Sequence, residues 1–424
     1  MRVAVVGAGI TGLALTHYLA EAEVDVVTFE AAAEPGGVIR SDQIDERILE
    51  HGPQRLRLTE TIEELISTVA VNDKLIHAET DLPLFVYADG RLREVPKSLR
   101  GLVRSDLLTW RSKLRLLREP FTQEIDPSET VSNACTRKFG EAAYRNLFEP
   151  LIGGMYGSDP QKMRCGYALE RLIALESEHG SLLRAALARN RSKDAHPPVV
   201  NFEDGLQTLP HALYDRHKPY INLDDAVESI EPFVGDQFTV RTARGSVGVD
   251  HVVLTTPAAD AATLLQEIPG AEVDPLTRLN YNGLVVVHLA ADYDGAGFGY
   301  QVRRDDPLTT LGVTWNDSLF NRENVYTAFL GGMWNPELLD RPDTQLGRLA
   351  AEEFETVTGA SAKVINVRKL PDVIPAYDRS WDELERLTLP DRITIASNYT
   401  ARIGIPGRIN EARRLALRLS NDAS

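Results

Sequence analysis

The sequence predicts an α/β protein: a Rossmann-like, parallel-sheet domain built from discontinuous segments, with a mixed α/β domain and a helical insertion. Three observations predict it. The N-terminus reads strand, glycine turn, helix, strand; a helix-rich middle separates this opening from later strands; and no repeat or low-complexity linker divides the chain into parts strung in series. At 424 residues, 43% hydrophobic and 25% charged, the chain can bury two or three cores, and disorder is not the default expectation.

Residues 3–6 and 24–29 read as strands flanking a helix over 13–20, one βαβ opening. From about 107 to 189 apolar residues recur at helical spacing, broken by the loop "GGMYGSDP". Strands are expected in "YINLDDAVESIEP", "QFTVRTARGSV" and "HVVLTTPA". After Asn280 strands alternate with one long helix near 344–358, and the chain closes with the strand "RITIAS" and the helix "GRINEARRLALRL". The expected boundaries are 1–83, 193–280 and 381–424 for the parallel-sheet domain, 84–192 for the helical insertion and 281–380 for the mixed α/β domain.

"VAVVGAGITGLAL" sets Gly7, Gly9 and Gly12, with Ala8, Ile10 and Thr11 between them, at a strand-to-helix junction. The first glycine allows the tight turn, the second lets the backbone approach a pyrophosphate, and the third lets helix and strand pack closely. The helix N-terminus then offers free N–H groups to phosphate. Glu30, followed by Ala31, ends the second strand, where a carboxylate accepts ribose hydroxyls and repels a 2′-phosphate. This predicts bound FAD or NAD rather than NADP. "EPGGVIRS" favours FAD: Gly36 and Gly37 again permit close backbone approach, and Arg40, beyond Val38, supplies a cation.

The net charge of −16 argues against nucleic acid as a partner. Cys135 and Cys165 fit neither a disulfide framework nor a metal site and read as reduced thiols, and the nine histidines show no metal-type spacing, so no metal is expected. No signal segment and no apolar run near the ~20 residues of a spanning helix is evident, so a cytoplasmic location is expected, with a peripheral membrane contact left open. The exception to the acidic balance is "PKSLRGLVRSDLLTWRSKLRLLREPF", residues 96–121. As a helix over 105–119 it would place Leu107, Trp110, Leu114 and Leu117 on one arc and Arg104, Arg111, Arg115 and Arg118 on an adjacent stripe, with Pro120 at its end. By itself this is an amphipathic surface helix whose arginines pair locally.

The two glycine motifs together resemble the FAD-binding N-terminus of the flavin amine oxidase superfamily. Beyond them, "LEHGPQRLRL", "LFVYADGRLREVPKSL", "LIGGMYGSDPQKM", "FEDGLQTLPHAL", "VVLTTPA", "FLGGMWNPEL", "VIPAYDRSW" and "NYTARIGIPGRI" follow the order seen in the protoporphyrinogen/coproporphyrinogen oxidase family, a resemblance that covers nearly the whole chain. It implies an FAD-dependent oxidase of haem biosynthesis that takes protoporphyrinogen IX or coproporphyrinogen III to the porphyrin by three two-electron hydride transfers to flavin, with dioxygen as acceptor.

Carried over residue by residue, the resemblance adds Gly52, Pro53, Gln54 and Arg55 near the isoalloxazine, Val227 at the adenine, and Asn398, Ile403, Gly404 and Ile405 along the flavin ring, followed by a helix starting near Gly407. It puts the carbonyl of Gly154 near the reacting carbon, where a side chain would take the macrocycle's place, and packs Phe329 on a pyrrole ring. Gln301 and Thr310 depart from the leucine or valine of related oxidases, and Leu84 stands where many place an arginine for a substrate carboxylate; Arg55 or Arg57 is a candidate replacement. No dedicated acid or base is expected, because hydride transfer needs approach, orientation and dryness. The resemblance also gives the basic segment two further readings, attraction of a polyanionic substrate or of anionic lipid headgroups. Two other functions stay open: an amine oxidase or carotenoid-desaturase-like oxidoreductase, and a non-catalytic flavin-containing porphyrin carrier. Proto- against coproporphyrinogen, the electron acceptor and the oligomeric state, a homodimer included, are not legible.

Overall fold

In the computed structural model, which describes residues 1–79, 81–189, 197–233, 235, 237–400 and 404–423, the chain forms two compact units. Met1–Ala78, Pro197–Leu279 and Asp382–Ser424 make the first; Glu79–His196 and Asn280–Trp381 make the second.

Arg2–Val6 is buried from Val3 onward and lies at the centre of the first unit's parallel sheet, whose order is Ile221–Asn222, Asp25–Phe29, Arg2–Val6, His251–Leu254, Ile393–Ile395. Continuous apolar runs suit strands covered on both faces. The helices Ile10–Glu21 and Ile405–Ala423 pack together, sharing a core that includes Ala8, Leu13, Leu15, Ile405, Ile409 and Ala412. The C-terminal helix starts at Ile405 rather than near Gly407. "YINLDDAVESIEP" holds two strands, parted at Asp224, whose φ of 51° no strand accommodates. Ile221–Asn222 joins the parallel sheet, while Val227–Pro232 joins an antiparallel sheet with Phe238–Thr242 and Gly245–Val249.

The second unit holds a seven-stranded sheet in the order Ala362–Pro375, Tyr281–Ala291, Val325–Gly331, Thr310–Trp315, Gly299–Val302, Leu84–Ala88, Arg91–Glu94. Its last two strands fall at the start of the stretch expected to be a helical insertion. Asp89 and Gly90, with φ of 52° and 77°, form a tight hairpin turn that favours strands over helix here. Helix Asp343–Thr358 packs on the sheet and ends at Gly359, φ 77°.

The basic segment is not one helix. Ser98 and Thr109 each accept a backbone N–H, from Gly101 and Ser112, and so cap two short helices, Leu99–Arg104 and Trp110–Leu116. Between them the chain turns inward: Leu107 and Leu108 join a small core with Val86, Ala88 and Ala143. Leu107 therefore leaves the apolar arc, while Trp110, Leu114, Leu117 and Phe121 remain 66%, 63%, 60% and 86% exposed. Arg115 leaves the basic stripe, because its guanidinium donates to the carbonyls of Arg137 and Lys138 at the end of helix Val131–Phe139. The local acidic pairing expected of these arginines is replaced, at Arg115, by capping of a helix C-terminus. Nearby, the buried ammonium of Lys138 pairs with Glu176 and with Glu119 at 3.3 Å. Among the described residues no helix is long and apolar enough to cross a membrane.

Candidate flavin site and substrate face

The glycine turn is built by steric necessity. Gly7 has φ 105°, its N–H donates to Phe29 O at 2.7 Å, and a Cβ there would lie 2.8 Å from Thr255 Oγ1. A Cβ on Gly12 would collide with the carbonyl oxygen of Gly7. Gly9 differs: nothing lies within 4 Å of the place its Cβ would take, so its glycine leaves room for something else. Ala8, Ile10 and Thr11 are buried around it, and Gly9 caps the helix that begins at Ile10.

Glu30 spans this turn. Its Oε2 accepts from Ala8 N at 2.6 Å and its Oε1 from Ala32 N, just beyond Ala31, at 2.9 Å. Each carboxylate oxygen keeps a lone pair for a hydroxyl donor. The second glycine pair lies directly on the first: Gly36 N donates to Ala8 O at 2.8 Å, and a Cβ on Gly37 would lie 3.3 Å from Gly9 Cα. Val38 is exposed beside it. Arg40 pairs with Glu34, its Nε reaching Gly37 O at 3.3 Å, so its charge also braces the loop.

Gly52 is forced by proximity, because a Cβ would collide with Val38 O; thus "GPQR" and "GGVIR" meet although eleven residues separate them. Pro53 follows, and Gln54 donates through Nε2 to Glu50 O at 2.9 Å while its own carbonyl accepts from Asn201 Nδ2 at 3.0 Å. Arg55 is solvent-accessible yet crowded by protein, which lowers its pKa to about 10, with Arg57 adding repulsion. Arg57 donates to Pro197 O at 3.1 Å. Asp225 N donates to Glu30 O at 2.9 Å, which brings Val227, two residues on, toward the same end of the sheet. Ile405 is buried in the core that includes Ala8 and Ile10, Gly404 is exposed just before it, and Asn398 is half-buried. Ile403 lies outside the described residues.

Sequence reasoning gave no role to three contributors here. Thr255 Oγ1 donates to the backbone carbonyls of the glycine turn, at 3.0 Å to Val6 and 2.9 Å to Gly7, and Thr256 Oγ1 is buried with no hydrogen-bond partner among the described residues. Glu50, 1% exposed, accepts from Ser41 Oγ, Asn201 Nδ2 and Leu206 N and so knits the two loops to the strand Val199–Phe202. All three lie in "VVLTTPA" and "LEHGPQRLRL", stretches that carry the resemblance without pointing to a role for these side chains.

The glycine turn opening a helix, the space at Gly9, the carboxylate of Glu30 and the unpartnered Thr256 hydroxyl fit a dinucleotide's pyrophosphate and ribose. The family model of flavin containing amine oxidoreductases matches residues 10–421. The chain belongs to that family. It is a flavoprotein oxidoreductase, and its cofactor is FAD.

This flavoenzyme is similar to protoporphyrinogen oxidase 1 of Spinacia oleracea chloroplasts, 25% identical over 88% of this chain and 74% of the relative. It is equally similar to coproporphyrinogen III oxidase of Staphylococcus aureus, 25% identical over 88% of each chain. The crystal structure of an Exiguobacterium protein provisionally named a protoporphyrinogen oxidase shares its fold, with a TM-score of 0.82, 23% identity and 99% coverage of both chains.

In the flavoenzyme's second unit, the sheet aligns three residues in one cross-strand row: Gln301 opposite Gly312, and Gly312 opposite Phe329. Residues facing each other across a ladder share a face, so Gln301 and Phe329 flank a glycine. Gly154, on helix Glu149–Tyr156, closes on Gln301, whose Oε1 an added Cβ would strike. A side chain at 154 would thus meet Gln301 first, not an open space. Thr310 lines a small cavity with Gly154, Glu149, Arg304 and Trp334, and its backbone N–H is held by Glu353 at 2.7 Å. The side-chain oxygens Gln301 Oε1 and Thr310 Oγ1 are buried without hydrogen-bond partners among the described residues. Burial raises the pKa of Glu149 from its ordinary value. Leu84 pairs with Gly299 on the neighbouring strand.

Proposed function

We propose that this flavoenzyme oxidises a porphyrinogen, coproporphyrinogen III or protoporphyrinogen IX, to the porphyrin. One observation carries the reading: the similarity to proteins named protoporphyrinogen oxidase and coproporphyrinogen III oxidase runs over 88% of the chain, far beyond the glycine turn that all dinucleotide folds share.

In this reading Gly7, Ala8, Gly9, Ile10, Thr11 and Gly12 take the FAD pyrophosphate, Glu30 and Ala31 the ribose, and Val227 the adenine. Gly36, Gly37, Val38, Arg40, Gly52, Pro53, Gln54 and Arg55 serve the flavin half, with Asn398, Ile403, Gly404 and Ile405. The N-terminus of helix Ile405–Ala423 adds a positive end for charge on the cofactor. Gly154, Gln301, Thr310 and Phe329 receive the macrocycle, Phe329 through its ring face, and Arg55 or Arg57 supplies a cation for a carboxylate.

FAD supplies the hydride acceptor. Each oxidation takes a hydride and a proton from the macrocycle; three of them, balanced by three dioxygen molecules leaving as hydrogen peroxide, give the porphyrin. What the chain does is bind the ring, orient a methylene bridge and keep water away, which accounts for a substrate face without a dedicated acid or base.

The exposed Trp110, Leu114, Leu117 and Phe121, beside the exposed Arg104, Arg111 and Arg118, support a peripheral contact with anionic lipid headgroups, on the cytoplasmic face of a membrane.

The test is to purify the protein, record its flavin spectrum and follow porphyrin fluorescence after adding each porphyrinogen. Fluorescence growing faster than the air-oxidation blank is expected with at least one of them. Growth no faster than the blank with both would overturn the oxidase reading; tight porphyrin binding in that case would point to the carrier.

A further inference from the structure

Two histidines 200 residues apart in sequence meet in space. His17 lies on helix Ile10–Glu21, His217 ends helix Thr208–His217, and Nδ1 of His17 is 2.9 Å from Nε2 of His217. Both rings are buried, at 3% and 4% exposure. Glu21 follows His17 by four residues, so both project from one face of the helix. One ligand atom from each of the three side chains lies within 4.8 Å of the others.

The donor set decides which ion would fit. Two imidazole nitrogens and one carboxylate oxygen match a borderline divalent ion, whereas magnesium and calcium take oxygen ligands. Bonds of about 2.0–2.1 Å to a tetrahedral zinc ion would space the donors about 3.3 Å apart, so the nitrogens need part by only a few tenths of an ångström. Glu21 is exposed, which gives an ion a route in and leaves the fourth position open to water. The competitor is Arg216, which donates to Glu21 Oε1 at 2.9 Å and holds the carboxylate away from full commitment to an ion.

We propose that His17, Glu21 and His217 form a binding site for a divalent ion of the zinc class, clipping the helix that opens at the glycine turn to helix Thr208–His217. The site is independent of the porphyrinogen reading, because it lies at the opposite end of the first helix from Gly9.

The FAD-loaded protein, stripped with chelator, is titrated with Co²⁺ and then Zn²⁺. One equivalent of Co²⁺ should develop absorption to the red of the flavin bands, Zn²⁺ should displace it, and the melting temperature should rise. Glu21→Gln should weaken the Co²⁺ Kd by at least about tenfold, His217→Ala should abolish binding, and Arg216→Ala should tighten it by freeing the carboxylate. Should His217→Ala lose its flavin or its melting transition, Glu21→Gln, at an exposed position, carries the test alone. Absence of stoichiometric Co²⁺ or Zn²⁺ uptake by the wild type, or uptake unchanged by Glu21→Gln, would overturn the site and leave the histidine pair as a packing hydrogen bond.

Discussion

Gly154 and Gln301 share one space: the amide of Gln301 occupies the position that a Cβ on residue 154 would need, and a Cβ on Gly312 would come within 2.5 Å of the same oxygen. Two glycines on different elements thus accommodate one polar side chain. The glycine at 154 keeps a helix close to a sheet, whatever it also does for substrate.

That relationship separates two roles. Gly154→Ala should lower stability by about 1–3 kcal/mol through overpacking and reduce porphyrinogen turnover. If the glycine serves chiefly as a spacer, adding Gln301→Ala should restore most of both. Stability restored without turnover would instead assign residue 154 to the substrate. Melting temperature and kcat/KM of the two single variants and the double variant provide the measurement.

The glycine turn makes a second contrast. Gly9→Ala adds a methyl to open space, so the flavin-free protein should melt as the wild type does, while the purified protein carries less FAD. Gly12→Ala collides with Gly7's carbonyl and should lower both stability and FAD content. Absorbance ratios and thermal melts with and without added FAD read the difference; equal FAD loss with equal destabilisation in both would refute it.

Lys138 lies between Glu119 and Glu176, and those carboxylates also accept N–H groups of Leu182, Leu183 and Ile125. Removing the cation strands two buried acids. Lys138→Met should therefore cost about 3–5 kcal/mol in chemical denaturation, and a loss below about 1 kcal/mol would refute a stabilising role for the ammonium.

Trp110, Leu117 and Arg111 should matter to vesicle binding, and Arg115 should not. Trp110→Ala with Leu117→Ala, or Arg111→Glu, should reduce co-sedimentation with anionic vesicles. Arg115→Glu removes a brace on helix Val131–Phe139 and should lower the melting temperature instead. Binding insensitive to Trp110 and Leu117 would count against the membrane contact.

His251 joins two strands of the parallel sheet through Nε2 to Thr394 at 2.9 Å, and burial, reinforced by Arg418, holds its pKa down to about 4. The folded state prefers the neutral ring while an unfolded histidine titrates near 6.5. Stability present above pH 6.5 is thus lost as pH falls toward 4, by about 3 kcal/mol in all. His251→Gln should flatten that part of the profile in melts taken across this range; a slope identical to the wild type's would remove His251 as its cause.

The sequence by itself determined the glycine turn and the strand end beside it. Gly7, Gly9, Gly12 and Glu30 were legible because the turn, the helix N-terminus and the strand end are fixed by residues within one βαβ unit, and local backbone geometry writes itself into glycine spacing. The pairing of "GGVIR" with "GPQR" was legible only as a resemblance, since the collision between Gly52 and Val38 depends on two loops meeting. Only the tertiary structure decided the rest. The row Gln301, Gly312 and Phe329 comes from strand register, the unpartnered Thr256 from a turn some 250 residues beyond the glycines, and the meeting of His17 with His217 from the packing of two helices. The basic segment 96–121 shows the reason most plainly. Helical periodicity placed Leu107 on the apolar arc and Arg115 on the basic stripe of one helix, but the local cap at Thr109 breaks that helix, and burial of Leu107 and capture of Arg115 by distant carbonyls are non-local contacts that override the periodic pattern.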